Sequence, residues 1–266
     1  GTNFDYNYLQ HRKVDVVSSA LDFILPFEKY KITAGAKVSF TNTRNGINYD
    51  TSDPTLVQDD YFRYKEQIYA LYADYSREYS ERFSMQLGLR MEHTRTTGIS
   101  EAKDTEDKHD YTRLFPTVYL LYSPTDGHAL NFSFSNRISR PSQNMVNPFP
   151  FYQNKYTYAC GREDLKPSYT YNAELGYTLK NNFNVSAYYS YSDDVFFQVV
   201  DLDAETNVTS FLWENFMQTH AFGLNNSYTF RTKWLQTYAQ HGVSYRRTTS
   251  SAATTSPEEK GWAYNA

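Results

Sequence analysis

Residues 82–92 read RFSMQLGLRME, with Met85, Leu87, Leu89 and Met91 at alternate positions and Gln86, Gly88, Arg90 and Glu92 between or beside them. Successive side chains of a strand point to opposite faces, so this order puts four apolar groups on one face and the polar set on the other. The chain as a whole is hydrophilic, with a mean hydropathy of -0.70. A large dry core is hard to fill from such a composition, so the stripe must meet some other apolar phase.

The 266 residues are long enough for one large domain or two modest ones. Aromatic residues make up 18% of them, and 26 are Tyr. Tyr has an apolar ring and a hydrogen-bonding tip, so such enrichment suits a surface that passes between apolar and wet surroundings. The plainer alternative is a Tyr-rich β-sandwich. A net charge of -4 offers no basic field to nucleic acid. With Cys160 as the single cysteine there is no intrachain disulfide, and no Cys/His grouping has zinc-site spacing. No run approaches the ~20 apolar residues of a spanning helix, and GTNFDYNY does not resemble a signal peptide. A start on Gly1 and a stop at WAYNA inside an alternating stretch predict a piece of a longer chain.

The same period of two recurs from end to end, which predicts an all-β chain. Ile32, Ala34, Ala36, Val38 and Phe40 alternate with Thr33, Gly35, Lys37 and Ser39; Leu130, Phe132 and Phe134 with Asn131, Ser133 and Ser135. Tyr171, Ala173, Leu175, Tyr177 and Leu179 do the same, as do Phe183, Val185, Ala187, Tyr189 and Tyr191. TNFDYNYL, with Phe4, Tyr6 and Tyr8, adds one strand, and WAYNA begins another. Tight polar turns are expected at 26–29, 77–82, 123–127, 179–182 and 231–233. Between them lie long polar segments, 43–62, 96–112, 139–169, 192–219 and 249–261, read as irregular loops. Short turns at one end and long loops at the other are the asymmetry of an outer-membrane β-barrel. The expectation is an antiparallel transmembrane β-barrel meander with short periplasmic turns and long extracellular loops, about 11–12 strands of a partial barrel. An open sheet of this kind leaves two unpaired edges, so it needs further strands, a partner or closure.

One segment carries a more specific signal. NRISRPSQNMVNPFPFYQNKYTYACGREDLKPSYTYNAELGY (136–177) resembles a run in the outer-membrane β-barrel family of TonB-dependent receptors. There an Arg-Pro pair, an Asn-Pro-Phe and a Gly-x-x-x-Leu-x-Pro precede an alternating strand. The matching positions are Arg140 and Pro141; Asn147, Pro148 and Phe149; and Gly161, Leu165 and Pro167. DFILPFEKYKITAGAK, YKEQIYALYADY, GLRMEHTRTTG and RLFPTVYLLY look like the family's strands in the same order. CGREDL departs from the pattern, since the family tends to have Gly-Asn-Pro before the Leu.

The resemblance implies that residues 1–266 form part of one barrel domain in the Gram-negative cell outer membrane, with the plug domain and remaining strands absent. It further implies a receptor for uptake of a scarce ligand, such as a siderophore, vitamin or glycan, with no catalysis and no cofactor. Its partners would be outer-membrane lipid, the plug domain of the same parent chain, and an inner-membrane energy-transducing complex reached through the absent N-terminal part. No nucleic acid is expected. A secreted all-β ligand- or carbohydrate-binding module is the alternative, and an outer-membrane enzyme a more distant one.

Candidate chemistry is sparse. Asp193, Asp194 and His220 flank one expected loop, as an acid/base set above a rim would, although loop carboxylates are usually just solvated. Asp201, Asp203 and Glu205 alternate as calcium ligands might, without the Gly turn and terminal bidentate Glu of a strong site. His11, His93, His109, His128 and His241 are scattered and read as surface or lumen groups. For ligand binding the candidates are Phe149, Phe151, Tyr152, Tyr156 and Tyr158, a ring cluster able to stack on a sugar or an aromatic chelate, or else only to pack a rim. Lys37, Arg90, Glu92, Arg137 and Glu174 are expected to face a wet lumen, paired with one another or with a plug.

Overall fold

The computed structural model describes residues 6–51, 59–101, 103–251 and 257–266, so Asn3, Phe4 and Asp5 of the first expected strand lie outside the described residues. One antiparallel sheet runs β1(Tyr6–Pro26), β2(Tyr30–Thr51), β3(Asp60–Ser80), β4(Phe83–Ser100), β5(Thr105–Tyr122), β6(His128–Ser139), β9(Ser168–Leu179), β10(Phe183–Asp203), β11(Val208–Arg231), β12(Gln236–Ser250) and β13(Glu258–Asn265). Between β6 and β9 the chain makes an excursion that holds α1(Gln143–Val146), β7(Phe151–Asn154) and β8(Thr157–Cys160). Among the described residues no ladder joins β1 to β13, and the sheet is a partial barrel wall.

The short turns fall where polar, turn-forming residues predict them. At Lys180 and Asn181 the φ angles are 49° and 58°, the left-handed pair at the centre of a tight turn in which Asn182 N donates to Leu179 O at 3.1 Å. The long segments differ from expectation. Stretches 96–112 and 192–219 are not irregular loops; β4 and β5 run up to Ser100 and Thr105, and β10 and β11 to Asp203 and Val208. The asymmetry is real, but it is made by hairpins that outrun the membrane: 18 to 24 residues in β3, β4, β5, β10 and β11, against the ~9–11 that cross a bilayer. Among the described residues only 140–167 is a true excursion.

Register confirms the sorting of faces. Leu87, Leu89 and Met91 of β4 pair with Val118, Pro116 and Leu114 of β5 and with Tyr75, Ala73 and Leu71 of β3. This outward surface is bare: Leu71, Leu89, Leu114 and Leu175 are each half exposed or more. Tyr122 and Tyr228 mark it toward the short turns and Tyr69 and Tyr171 on the far side, an aromatic rim at each interface. The opposite face is polar and, in its upper part, covered: Glu92, Thr94, Thr96 and Ser100 are all buried.

Close approach of strands on the inner face uses glycine. Gly35 of β2 is paired with Tyr72 of β3, whose ring lies over it to donate to Asp22 of β1. A Cβ at Gly35 would stand 2.6 Å from that ring. Arg90 of β4 lies over the same tyrosine ring, 5.5 Å from its centroid, so four neighbouring strands are laced together.

The wall is curved. β3 and β11 are six strand steps apart, roughly 28 Å if flat. Yet Phe62 of β3, Val146 and Leu165 of the excursion, Phe196 of β10 and Trp213 of β11 meet in one apolar cluster.

Candidate functional site

The excursion 140–167 crosses the inner face and grips both flanks. At its entry Arg140 turns in from β6; its Nη2 donates to Glu92 Oε1 at 2.7 Å and to Thr94 Oγ1 at 3.2 Å. Glu66 lies 3.8 Å from its Nε, and Arg90 holds the second oxygen of Glu92 at 2.6 Å. Two guanidiniums thus share one buried carboxylate, an arrangement in which the charge is paired on both sides.

Beyond Pro141 the chain makes the single turn of α1 and closes on itself. Asn147 O accepts from Gly161 N at 2.8 Å, and Met145 O accepts from Arg162 N at 2.8 Å. There is no room for a side chain at this crossing, since a Cβ on Gly161 would lie 2.3 Å from Asn147 O. Asn147 Oδ1 accepts from Phe149 N, and Pro148 O accepts from Lys103 Nζ at 2.8 Å, which ties the clasp to the β4–β5 tip. Leu165 fills the apolar cluster. The residues singled out as a sequence motif are therefore those that fold the excursion inward. Sequence order showed them as a set without showing where they point.

The far flank is held differently. β8 runs parallel to β11, Thr157–Cys160 against Thr209–Leu212, on the edge of β11 that β12 leaves free above Met217. Asn215 of β11 bonds both backbone groups of Lys166, at 2.8 and 2.9 Å, and its amide also reaches Asp194 O at 2.7 Å. Arg162 joins Asp164 and Glu214, both at 2.6 Å, and the hydrogen bonds it donates, with its charge, hold the Asp164 carboxyl below the usual carboxylate range. Nothing in the sequence marked Asn215 or Glu214, because neither belongs to a motif and both act only through the fold.

The five aromatic candidates divide. Phe149 is buried within the clasp. Phe151 and Tyr152 lie on β7, opposite Ala159 and Tyr158 of β8. The Tyr152 and Tyr158 rings stand 5.5 Å apart, and Tyr156 at the hairpin tip is half exposed under Lys155, whose Nζ is 4.7 Å from its ring. Beside the clasp, a cavity of about 530 Å³ is walled by Lys103, Glu106 and Asp107 on one side and Arg162, Glu163 and Asp164 on the other. Cys160 donates toward Pro148 O at 3.0 Å, and burial pushes its thiol up, away from the reactive thiolate.

The other candidates are drawn into the wall. His220 Nδ1 sits 2.9 Å from Tyr189 OH with its ring against Tyr191, while Asp193 accepts from Gln218 and Asp194 occupies a bulge at φ 52°. They form no acid/base set. Asp203 spends its carboxylate on Glu205 N, Thr206 N and Thr206 Oγ1, closing the β10–β11 turn rather than facing a cation. Among the described residues no three His, Cys, Asp or Glu groups are placed to hold a metal. His93, His128 and His241 bond Thr112, Tyr177 and Tyr264, and His109 lies 2.8 Å from Asp107.

Comparison with known proteins agrees with this architecture. The outer membrane protein beta-barrel family matches residues 2–266. Among solved structures the chain resembles the copper transporter OprC, with a TM-score of 0.64 at 12% identity over 92% of this chain and 39% of that one. It resembles the Serratia marcescens hemophore receptor HasR, at 0.58 and 11% over 94% and 43%, and the ferric yersiniabactin uptake receptor FyuA from Yersinia pestis, at 0.53 and 14% over 98% and 37%. The chain thus spans about two-fifths of the length of these structures. No curated protein matches it.

Proposed function

Because the chain belongs to the outer membrane protein beta-barrel family, and so to the Gram-negative outer membrane, we propose that it is barrel wall of a TonB-dependent receptor that takes up a scarce ligand, a metal chelate, vitamin or glycan. The observation that carries this reading is the excursion 140–167, which folds across the inner face at the end where the hairpins outrun the membrane. It sets Phe151, Tyr152, Tyr156 and Tyr158 on a short hairpin there, with Phe149 buried at its base. Paired rings of this kind stack on sugars and aromatic chelates. Further strands and a plug domain of the same parent close the barrel, and an inner-membrane energy-transducing complex acts through that plug. The inner charges Lys37, Arg137 and Glu174 are positioned to meet it. A secreted binding module fits less well, since it has no use for an uncovered apolar stripe across the wall.

The reading is tested in cells carrying the full-length protein, by accumulation of a labelled ferric siderophore, cobalamin and an oligosaccharide. One of the three is expected to accumulate, to stop when the proton gradient is collapsed, and to fall at least severalfold in the Tyr156→Ala, Tyr158→Ala double variant. Accumulation that ignores the gradient, or that no variant of the hairpin alters, overturns it.

A further inference from the structure

The apolar cluster continues beyond the point where the excursion covers it. Phe196 of β10 and Trp213 of β11 belong to that cluster, with Phe62, Val146 and Leu165. Alternate residues of a strand share a face, so Val200 and Leu202 lie on the face of Phe196, and Phe211 and Thr209 on that of Trp213. Register extends the row across two more strands. Val200 pairs with Phe211, Phe211 with Ala159 of β8, and Ala159 with Phe151 of β7. One step farther out, Leu202 pairs with Thr209, and Thr209 with Thr157. Four strands thus present one apolar row, three strand spacings or roughly 14 Å long if flat. Val200 is 49% exposed and Leu202 61%. Phe197 is also bare, at 60%, on the opposite face.

Shape and charge say what fits. The row is narrow, bordered on its outer side by Thr209 and Thr157 with only Leu202 continuing it, so an elongated chain covers it and a broad ring system overhangs it. Charge is one-sided. Residues 195–216 contain Asp201, Asp203, Glu205 and Glu214 and no Lys or Arg, and among the described residues only Glu214 meets a cation, Arg162. An anionic occupant is repelled there. We infer that the row receives the alkyl or acyl chain of an uncharged amphiphilic ligand, lying across β10, β11, β8 and β7 on the face that the excursion partly covers. This rests on the receptor reading and narrows it: the ligand taken up carries an apolar chain and no net negative charge. Burial of the chain against Val200, Leu202, Phe211 and Phe151 removes apolar surface from water, so affinity grows with chain length.

The test measures binding and not uptake, so its failure is distinct from a failure of import. The full-length protein in amphipol is titrated with dansyl amides carrying alkyl tails of four, six and eight carbons, and with the eight-carbon tail ending in a carboxylate. Each added methylene is expected to tighten binding about two- to fourfold. The carboxylate is expected to bind severalfold more weakly than its uncharged counterpart. The Val200→Ser, Leu202→Ser variant is expected to flatten the dependence on length, while Val200→Ile, Leu202→Met keeps it and Phe197→Ser on the opposite face leaves it unchanged. Heat-modifiable gel mobility shows that each variant is folded. No binding of any tail, affinity that does not grow with length, a slope that survives the double serine variant, an equal loss in Phe197→Ser, or a preference for the carboxylate each overturns the proposal.

Discussion

Arg140 and Glu92 lie 48 residues apart, and the Nη2–Oε1 bond of 2.7 Å between them fixes where the excursion enters the barrel interior. Glu92 is buried, and its other oxygen is held by Arg90, so one lost arginine leaves the carboxylate half paired. Arg140→Ala is expected to cost about 1.5–3 kcal/mol, the range for a charge-assisted hydrogen bond. Hydrogen exchange checks this: amides of 140–167 speed up, while those of β9 and β10 stay protected. A uniform loss of protection over the wall would show that Arg140 serves the barrel rather than the excursion.

Gly35 and Tyr72 make a second prediction. A methyl group at Gly35 meets the ring at 2.6 Å, and moving the ring breaks its bond to Asp22 and its contact with Arg90. Gly35→Ala is expected to destabilise the folded barrel by about 1–3 kcal/mol, as overpacking does. Adding Tyr72→Ala gives the new methyl room, so the double variant loses less than the two single losses combined. Urea midpoints of heat-modifiable mobility measure the cycle, and strict additivity contradicts the stacked geometry.

These two contacts also show what the sequence made legible. Alternation exposed several of the stretches where one face meets lipid and the other water, as at Met85 to Glu92. Above the band the signal disappears, because both faces are polar: Thr94, Thr96 and Ser100 face inward while Arg95 and Thr97 face out. Strand continues there on backbone pairing alone, so 96–112 looked like a loop; 192–219 looked like one for the opposite reason, since Phe196, Phe197, Val199 and Val200 put apolar groups on both faces and break the alternation. The motif from Arg140 to Pro167 was visible as a set. Its path was not, since the partners Glu66, Glu92, Asn215 and Glu214 come from strands far away in sequence.

Asp203 gives a dependence on pH. Bonds from the Thr206 hydroxyl, and then from the Glu205 and Thr206 amides, hold its carboxyl below the ordinary carboxylate value. A carboxyl lowered by folding stabilises fully above its unfolded pKa, and the effect is lost as pH falls through the folded one. Protection of the Glu205 and Thr206 amides is therefore expected to be flat at neutral pH and to drop only below the usual carboxylate range. Asp203→Asn keeps a cap oxygen without the titration, so its protection stays level through the same acid range.

Leu175 and Asn172 separate the two faces by a single comparison. Leu175 of β9 pairs with Phe132 and Ala187, is 55% exposed and sits within the outward apolar band; Asn172 of the same strand pairs with Ser135 and Ser190 on the inner face. Arginine at a lipid-facing position near the bilayer centre costs about 2–4 kcal/mol, whereas the wet lumen already accepts charge. Leu175→Arg is expected to lower the folded fraction of the full-length protein in lipid vesicles by that amount, and Asn172→Arg to leave it nearly unchanged. In detergent, where the apolar layer yields more easily to a snorkelling side chain, the gap between the two variants narrows. Equal tolerance of both in vesicles means that the stripe beginning at Met85 does not face the bilayer.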